Sequence, residues 1–152
     1  PKAEAMNPAA YASAKSIAAD VAAARGIRAQ RISPTAWSLH FDRLPPKTNK
    51  MYWHTESGAM ILTEDARLWR REASEAAESI GFAPNHHQSY SVAFSFIVPT
   101  WASDIDAFLK AGIDGIFGGS RSDNRVVELH ATKRVLKGQE GCDVAIRVTE
   151  EA

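Results

Sequence analysis

Apolar and polar residues alternate along four segments of the chain, which is the period of a strand with one buried face. These segments are residues 37–41, 90–98, 126–136 and 142–149. Trp37, Leu39 and Phe41 share one side of the first segment and are predicted to face a core. The last two segments flank a Gly-Gln-Glu-Gly turn at residues 138–141, so we predict that they form an antiparallel hairpin.

Apolar residues recur at helical spacing in two other segments. One predicted helix is capped by Thr63 and runs to about Ile80. The second begins at Ser103 or Asp104 and ends at Gly118-Gly119. The buried face of this second helix is predicted to consist of Ile105, Phe108, Leu109, Ile113, Ile116 and Phe117.

The remaining segments lack a clear period. Residues 47–58 are predicted to form a loop, residues 28–34 a linker, and residues 7–25 an Ala-rich helix. This order predicts an N-terminal helical arm with its linker over residues 1–34 and a single domain over residues 35–152. The predicted fold class is α+β (mixed α/β), with a small mixed sheet covered by helices.

The charge balance changes the picture only when it is examined locally. The 152 residues contain 18 Lys and Arg against 18 Asp and Glu, a net charge of +0. Residues 25–71, however, carry nine basic against four acidic residues (9 − 4 = +5), and residues 121–137 carry five against two (5 − 2 = +3). Two basic stretches therefore flank an acidic segment near Asp104, a distribution that suits a nuclease and that an ordinary solvated surface also produces.

Other totals exclude several classes of protein. No apolar run approaches the roughly 20 residues that a membrane-spanning helix needs, so we expect no membrane role. Cys142 is the single cysteine, which excludes an internal disulfide and a zinc cluster built from cysteines. We expect a reducing, cytoplasmic compartment, because the first residues also lack the pattern of a secretory signal.

Acidic residues and one lysine mark the candidate chemistry. Asp104 and Asp106 lie two residues apart where a strand gives way to a helix, and Asp123 precedes the next strand, so all three are predicted to meet at one end of the sheet. Carboxylates in this arrangement are typical ligands of Mg²⁺. Lys110 follows one helical turn after Asp106, and Asp114 follows one turn later, where it could orient Lys110. Other interpretations are also open: the Asp104–Asp106 pair could simply cap the helix, Lys110 could be a solvated side chain, and Asp123 could be an ordinary turn residue.

Four segments between about residues 39 and 149 resemble the RusA-type Holliday junction resolvases of bacteria and phages. Leu44-Pro-Pro-Lys-Thr-Asn49-Lys-Met-Tyr52 resembles the Pro-Pro-x-x-Asn-x-x-Tyr segment of that family. Asp104-x-Asp106-x-x-x-Lys110-x-x-x-Asp114 is similar to its central D-x-D-N-x-x-K-x-x-x-D motif. Ser122-Asp123 resembles its second acidic motif, and Lys133 with the final strands resembles its closing strands.

This resemblance implies a homodimer of RusA-like fold that binds four-way DNA junctions by shape in the bacterial cytoplasm, in association with the nucleoid. Each subunit would nick one strand symmetrically, using a water activated by Mg²⁺, for which Mn²⁺ could substitute. Asp104, Asp106 and Asp123 would bind the metal, and Lys110 would be the catalytic lysine. The residues implied to contact DNA are Lys47, Asn49, Lys50, Tyr52 and Lys133.

Two positions depart from the family pattern and leave other functions open. Ala107 stands where the family has Asn, and Ser122 stands where it has a second acidic residue. The connection between the second helix and Asp123 is also slightly short. A junction-binding protein with weakened cleavage, and a metal-dependent nuclease acting on RNA or another branched substrate, are therefore alternative interpretations.

Overall fold

A computed structural model describes residues 26–118 and 122–149. The strands are β1 (Ile27–Ser33), β2 (Ala36–Phe41), β3 (Tyr52–His54), β4 (Met60–Leu62), β5 (Ser89–Val98), β6 (Val126–Val135) and β7 (Gly141–Thr149). The α-helices are α1 (Glu64–Ser79) and α2 (Leu109–Phe117), and short 3-10 turns span Thr48–Lys50, Ile105–Phe108 and Ser122–Arg125.

Five strands form the main sheet, in the order β1-β2-β7-β5-β6. All neighbouring pairs are antiparallel except β5 and β6, which are parallel and are connected through α2. Strands β3 and β4 form a separate two-stranded sheet. The mixed α+β class predicted from the sequence is therefore confirmed.

The core lies between one face of the main sheet and the two helices. The inward residues of β2 and β5 are buried as their alternation predicts: Trp37, Leu39, Phe41, Tyr90, Val92, Phe94 and Phe96. Trp69 of α1 packs against the Phe41 ring at 4.7 Å and donates a hydrogen bond from Nε1 to the carbonyl of Ala111 in α2 (2.8 Å). This bond satisfies the only polar atom of a fully buried indole and joins the two helices.

Both predicted helices are present at their expected positions. The Thr63 hydroxyl accepts a hydrogen bond from the Ala66 amide (3.3 Å) and caps α1, and Gly81 follows the helix with a φ of 75°. The second helix begins as the 3-10 turn Ile105–Phe108 before it becomes α2. In the predicted buried face, Phe108, Ile116 and Phe117 are buried, whereas Ile105, Leu109 and Ile113 are partly buried against the core.

The predicted hairpin of the last two strands is wrong. Strands β6 and β7 do not pair, because β5 lies between them and pairs with both. The turn between them passes the end of β5, where the Leu136 amide donates to the Val98 carbonyl (3.0 Å). Strand β7 is the middle strand of the sheet, and its inward residues Cys142, Val144 and Ile146 are all buried.

Two further expectations are corrected, and one lies outside the described residues. The predicted linker, residues 28–34, is largely strand β1, which pairs with β2, so the sheet begins before residue 35. The predicted loop 47–58 contains a 3-10 turn and strand β3. The predicted helical arm over residues 7–25 is not among the described residues. Within the described ranges, no helix is long and apolar enough to cross a membrane.

Candidate metal and DNA-binding site

The Asp104–Asp106 segment follows β5 and lies at one end of the main sheet. Asp104 has an extended backbone (φ −73°, ψ 146°), and its carbonyl accepts a hydrogen bond from the Ala107 amide (3.2 Å). Its side chain makes no capping hydrogen bond, which removes the interpretation of Asp104 as a side-chain helix cap. Both aspartates are exposed, and neither carboxylate forms a hydrogen bond or ion pair with another described residue. Exposed carboxylates without a protein partner suit a hard divalent cation such as Mg²⁺.

The loop that follows Pro45-Pro46 packs directly beside these aspartates. The Thr48 hydroxyl donates a hydrogen bond to the carbonyl of Ala107 (3.2 Å), which joins the loop to the acidic turn. On its other side, the Lys50 carbonyl accepts a hydrogen bond from the Thr63 hydroxyl (2.9 Å) at the start of α1. Thr63 also caps α1. Hydrogen bonds therefore tie the loop to the acidic turn through Thr48 and to the start of α1 through Lys50.

The predicted DNA-contacting residues of this loop differ in exposure. Asn49 and Lys50 are exposed, Lys47 is half-buried, and Tyr52 lies on β3, half-buried against the core. Asn49 and Lys50 are therefore accessible to a ligand and follow Thr48, which is bonded to the acidic turn. Tyr52 has much of its ring committed to packing.

Lys110 and Asp114 form a pair on α2. The Lys110 ammonium lies 3.3 Å from the Asp114 carboxylate, as the sequence predicts for residues one turn apart. The same carboxylate oxygen accepts a hydrogen bond from Arg70 of α1 (3.1 Å), an interaction that the sequence analysis did not identify. Asp114 therefore orients Lys110 and also ties α2 to α1.

Lys133 reaches the acidic turn from the neighbouring strand. Its ammonium donates a hydrogen bond to the carbonyl of Ser103 (2.8 Å) and lies 5.5 Å from the centre of the Trp101 ring. Trp101 is 78% exposed and lies three positions before Asp104. Its contact with Lys133 was not predicted from the sequence. Lys133 thus contacts the segment that carries Asp104.

Asp123 does not join this group, so the expectation that it returns to the same end of the sheet is wrong. In the parallel pair, Val126 lies opposite Tyr90, whereas Val135 lies opposite Val98. Asp123 is therefore beside the start of β5, and the acidic turn is beyond its end; the eight-residue step from Tyr90 to Val98 is about 26 Å long.

The packing of α2 agrees with this separation. The ring of Phe108, next to the acidic turn, packs on Phe96 at 5.3 Å, and that of Phe117, before the segment with Asp123, packs on Tyr90 at 5.6 Å. The helix thus runs back along β5, from the Phe96 end toward the Tyr90 end. Across the described ranges, no set of three or more His, Cys, Asp or Glu side chains could hold a metal ion. Asp104 and Asp106 therefore lie on one turn, and the third predicted metal ligand, Asp123, lies at the other end of β5.

Two titratable groups with shifted pKa values lie outside the site. Hydrogen bonds from His130 and Ser91 hold the pKa of the Glu128 carboxyl below its usual range. Burial in the core raises the pKa of the Cys142 thiol well above its usual range, with a smaller contribution from the charge of Asp143. The thiol is therefore a neutral packing group.

The chain matches no protein-family model and no curated protein. The likeness to RusA-type resolvases accordingly rests on the sequence motifs alone.

Proposed function

We propose that the protein is a structure-selective, magnesium-dependent endonuclease that resolves four-way DNA junctions by paired symmetrical nicks. The observation that carries the proposal is the hydrogen bond between Thr48 and Ala107, which are 59 residues apart in the sequence. It joins the Pro-Pro loop, with its exposed Asn49 and Lys50, to the Asp-x-Asp turn. The Pro-Pro segment and the Asp-x-Asp segment, which are separate motifs in the sequence, are thereby adjacent in the fold.

The residues of this surface have separate chemical roles in the proposal. Asp104 and Asp106 supply metal ligands, since their carboxylates are exposed and have no partner among the described residues. A bound Mg²⁺ lowers the pKa of an attacking water and stabilises the entering and leaving oxygens. Lys110 is half-exposed, so its ammonium can contact a phosphate oxygen while Asp114 holds its position.

A homodimer follows from the position of Asp123 in this proposal. Asp104 and Asp106 lie at one end of β5 and Asp123 lies at the other, so a second copy running in the opposite direction would bring its own Asp123 to the first copy's acidic turn. Two-fold symmetry would produce two such sites. Two equivalent sites match the two symmetrical nicks that a four-way junction requires.

The first test compares a labelled four-way junction with a linear duplex, with and without Mg²⁺, and with Mn²⁺ as a replacement. We expect metal-dependent nicks on opposite strands of the junction and no cleavage of the duplex. Asp106→Asn removes one ligand charge and should abolish cleavage while junction binding stays intact. Asp65→Asn, at an exposed aspartate on α1, is the matched control and should cut normally. Wild-type cleavage by Asp106→Asn would disprove the assignment of the site.

Mixing two inactive variants tests the shared site. In a mixed dimer of Asp106→Asn and Asp123→Asn, one site receives both substitutions and the other receives none. We therefore expect the mixture to regain nicking of one strand per junction, although each variant alone is inactive. If each site belonged to one protomer, the mixture would stay inactive, and the dimer arrangement proposed above would be wrong.

A junction-binding protein with little cleavage is the second candidate. It is favoured by Ala107, which provides no side-chain amide beside the aspartates, and by Ser122, which leaves one carboxylate in the second acidic motif. Tight, salt-sensitive junction binding with no cleavage in Mg²⁺ or Mn²⁺ would select this candidate. Cleavage of a branched RNA in preference to the DNA junction would instead indicate a different substrate.

A further inference from the structure

The acidic turn is held by hydrogen bonds on both sides of its two aspartates. On one side, Lys133 donates to the carbonyl of Ser103, the residue before Asp104 (2.8 Å). On the other side, Thr48 donates to the carbonyl of Ala107, the residue after Asp106 (3.2 Å). The two proposed metal ligands thus lie between two backbone carbonyls, and each carbonyl accepts a hydrogen bond from a distant part of the chain.

The turn has few restraints of its own. Its local hydrogen bonds run from the Ala102 amide to the Thr100 hydroxyl (3.3 Å), from the Ala107 amide to the Asp104 carbonyl (3.2 Å) and from the Leu109 amide to the Asp106 carbonyl. Asp104 itself makes no side-chain cap. At 2.8 Å and with a charged donor, the Lys133 bond is shorter and stronger than the 3.2–3.3 Å bonds of the turn and of Thr48, so it contributes most to fixing the backbone that carries the carboxylates.

Lys133 is well placed to act on the turn and poorly placed to bind DNA. It lies on β6 opposite Phe96, and its side chain is half-buried. One of its N–H groups is used by the Ser103 carbonyl, and the ammonium is also 5.5 Å from the Trp101 ring. A charged donor forms a stronger hydrogen bond to a carbonyl than a neutral donor does. The ammonium keeps two further N–H donors, so what disfavours a DNA contact is the half-buried position of the side chain, which directs the ammonium at the turn.

From this geometry we infer that Lys133 is a positioning residue for the Asp104–Asp106 pair and not a DNA contact. The inference rests on the proposed function for the identity of the ligand, a divalent cation. Residues that orient metal ligands through a hydrogen bond change metal affinity by about 10- to 100-fold when they are replaced. Loss of Lys133 should therefore weaken metal binding by an amount in that range and leave DNA affinity unchanged.

The experiment uses the full chain with Lys133→Met, which keeps the length of the side chain and removes the donor. Arg134→Met is the matched control, since Arg134 is the next residue of the same strand and is exposed. Hydrogen exchange at the Ala102 and Ala107 amides reports the order of the turn without any metal or DNA. Titration with MnCl₂ reports metal affinity, and junction binding over a range of salt concentrations reports phosphate contacts.

We expect Lys133→Met to exchange faster at Ala102 and Ala107 and to bind Mn²⁺ more weakly, with junction affinity and salt dependence unchanged. Arg134→Met should leave the turn and Mn²⁺ binding unaffected. The milder Lys133→Gln, which keeps an N–H donor, provides a folded variant if Lys133→Met unfolds, and it should show the same changes in smaller measure. Unchanged exchange together with weaker junction binding and a flatter salt dependence would overturn the inference and restore a DNA contact.

The proposed function can fail separately. If the wild-type protein neither binds Mn²⁺ nor cuts junctions, that function is wrong, and faster exchange in Lys133→Met still supports positioning of the turn. If the wild type binds Mn²⁺ and Lys133→Met changes neither exchange nor Mn²⁺ affinity, the positioning role is wrong and the nuclease proposal stands.

Discussion

Replacing Asp114 with Asn tests whether one carboxylate both joins the helices and orients Lys110. The Asp114 carboxylate lies 3.1 Å from Arg70 of α1 and 3.3 Å from Lys110 of α2. The amide of Asn keeps the shape of the side chain and removes the charge that both cations need. The variant should therefore lose stability through Arg70 and lose cleavage through Lys110.

The magnitude follows from the burial of this pair. The side chain of Asp114 is 16% exposed and that of Arg70 is 36% exposed. Exposed ion pairs contribute about 0–1 kcal/mol, whereas loss of one partner of a buried pair costs about 3–5 kcal/mol. Arg70 Nε is also buried without a hydrogen-bond partner among the described residues, so loss of Asp114 leaves its guanidinium poorly compensated. An intermediate loss of about 1–2 kcal/mol in the free energy of unfolding is expected.

Urea denaturation of four proteins measures this loss: wild type, Asp114→Asn, Arg70→Met and the double variant. We expect a coupling energy of about 1 kcal/mol between the two positions. Asp65→Asn provides the comparison, because Asp65 is 63% exposed in its ion pair with Arg43 and should lose at most about 1 kcal/mol. A loss in Asp114→Asn no larger than that in Asp65→Asn, or additive effects of the two substitutions, would refute the reasoning.

Three other predictions concern packing, the buried thiol and DNA binding. Gly115→Ala should destabilise the protein in urea, because the added Cβ would lie 2.6 Å from Trp69 Nε1. Overpacking costs about 1–3 kcal/mol, which outweighs a gain of about 1 kcal/mol in helix propensity. A more stable variant would contradict this. Cys142 should resist iodoacetamide at pH 8 in the native protein and react once urea unfolds it. Its raised pKa stabilises the fold below the ordinary thiol value of 9.0, and this contribution is lost as the pH rises above that value; rapid native labelling would disprove the burial argument. Lys50→Ala should weaken junction binding and flatten its salt dependence by about one phosphate contact, with little change in cleavage at saturation, whereas Lys110→Ala should mainly reduce cleavage. The same phenotype in both variants would show that binding and catalysis are not separated in this way.

The local elements of this protein could be predicted from its sequence. Alternation in residues 37–41 and 90–98 indicates two strands with one buried face, and Thr63 indicates the start of α1. These signals are reliable because periodic burial and capping depend on residues within a few positions of one another. The exposed acidic turn and the Lys110–Asp114 pair have the same local origin.

The partners of the strands were decided by the tertiary structure. The turn at residues 138–141 is compatible both with a hairpin and with a connection that passes another strand, so the sequence did not indicate that β5 separates β6 from β7. The burial patterns agree with this order, because β7 has an apolar inward face and lies between β2 and β5, whereas β6 is mostly exposed and lies at the edge.

The composition of the candidate site depends on the same long-range choice. A parallel β5–β6 pair puts Asp123 at the opposite end of the sheet from Asp104 and Asp106, although all three occur in one short stretch of sequence. The same fold brings Thr48 to Ala107 and Lys133 to Ser103, which no spacing in the sequence predicts. Local sequence patterns determined which residues carry the chemistry, and long-range packing of strands and helices determined which of them meet, because only the assembled core sets the order and direction of the strands.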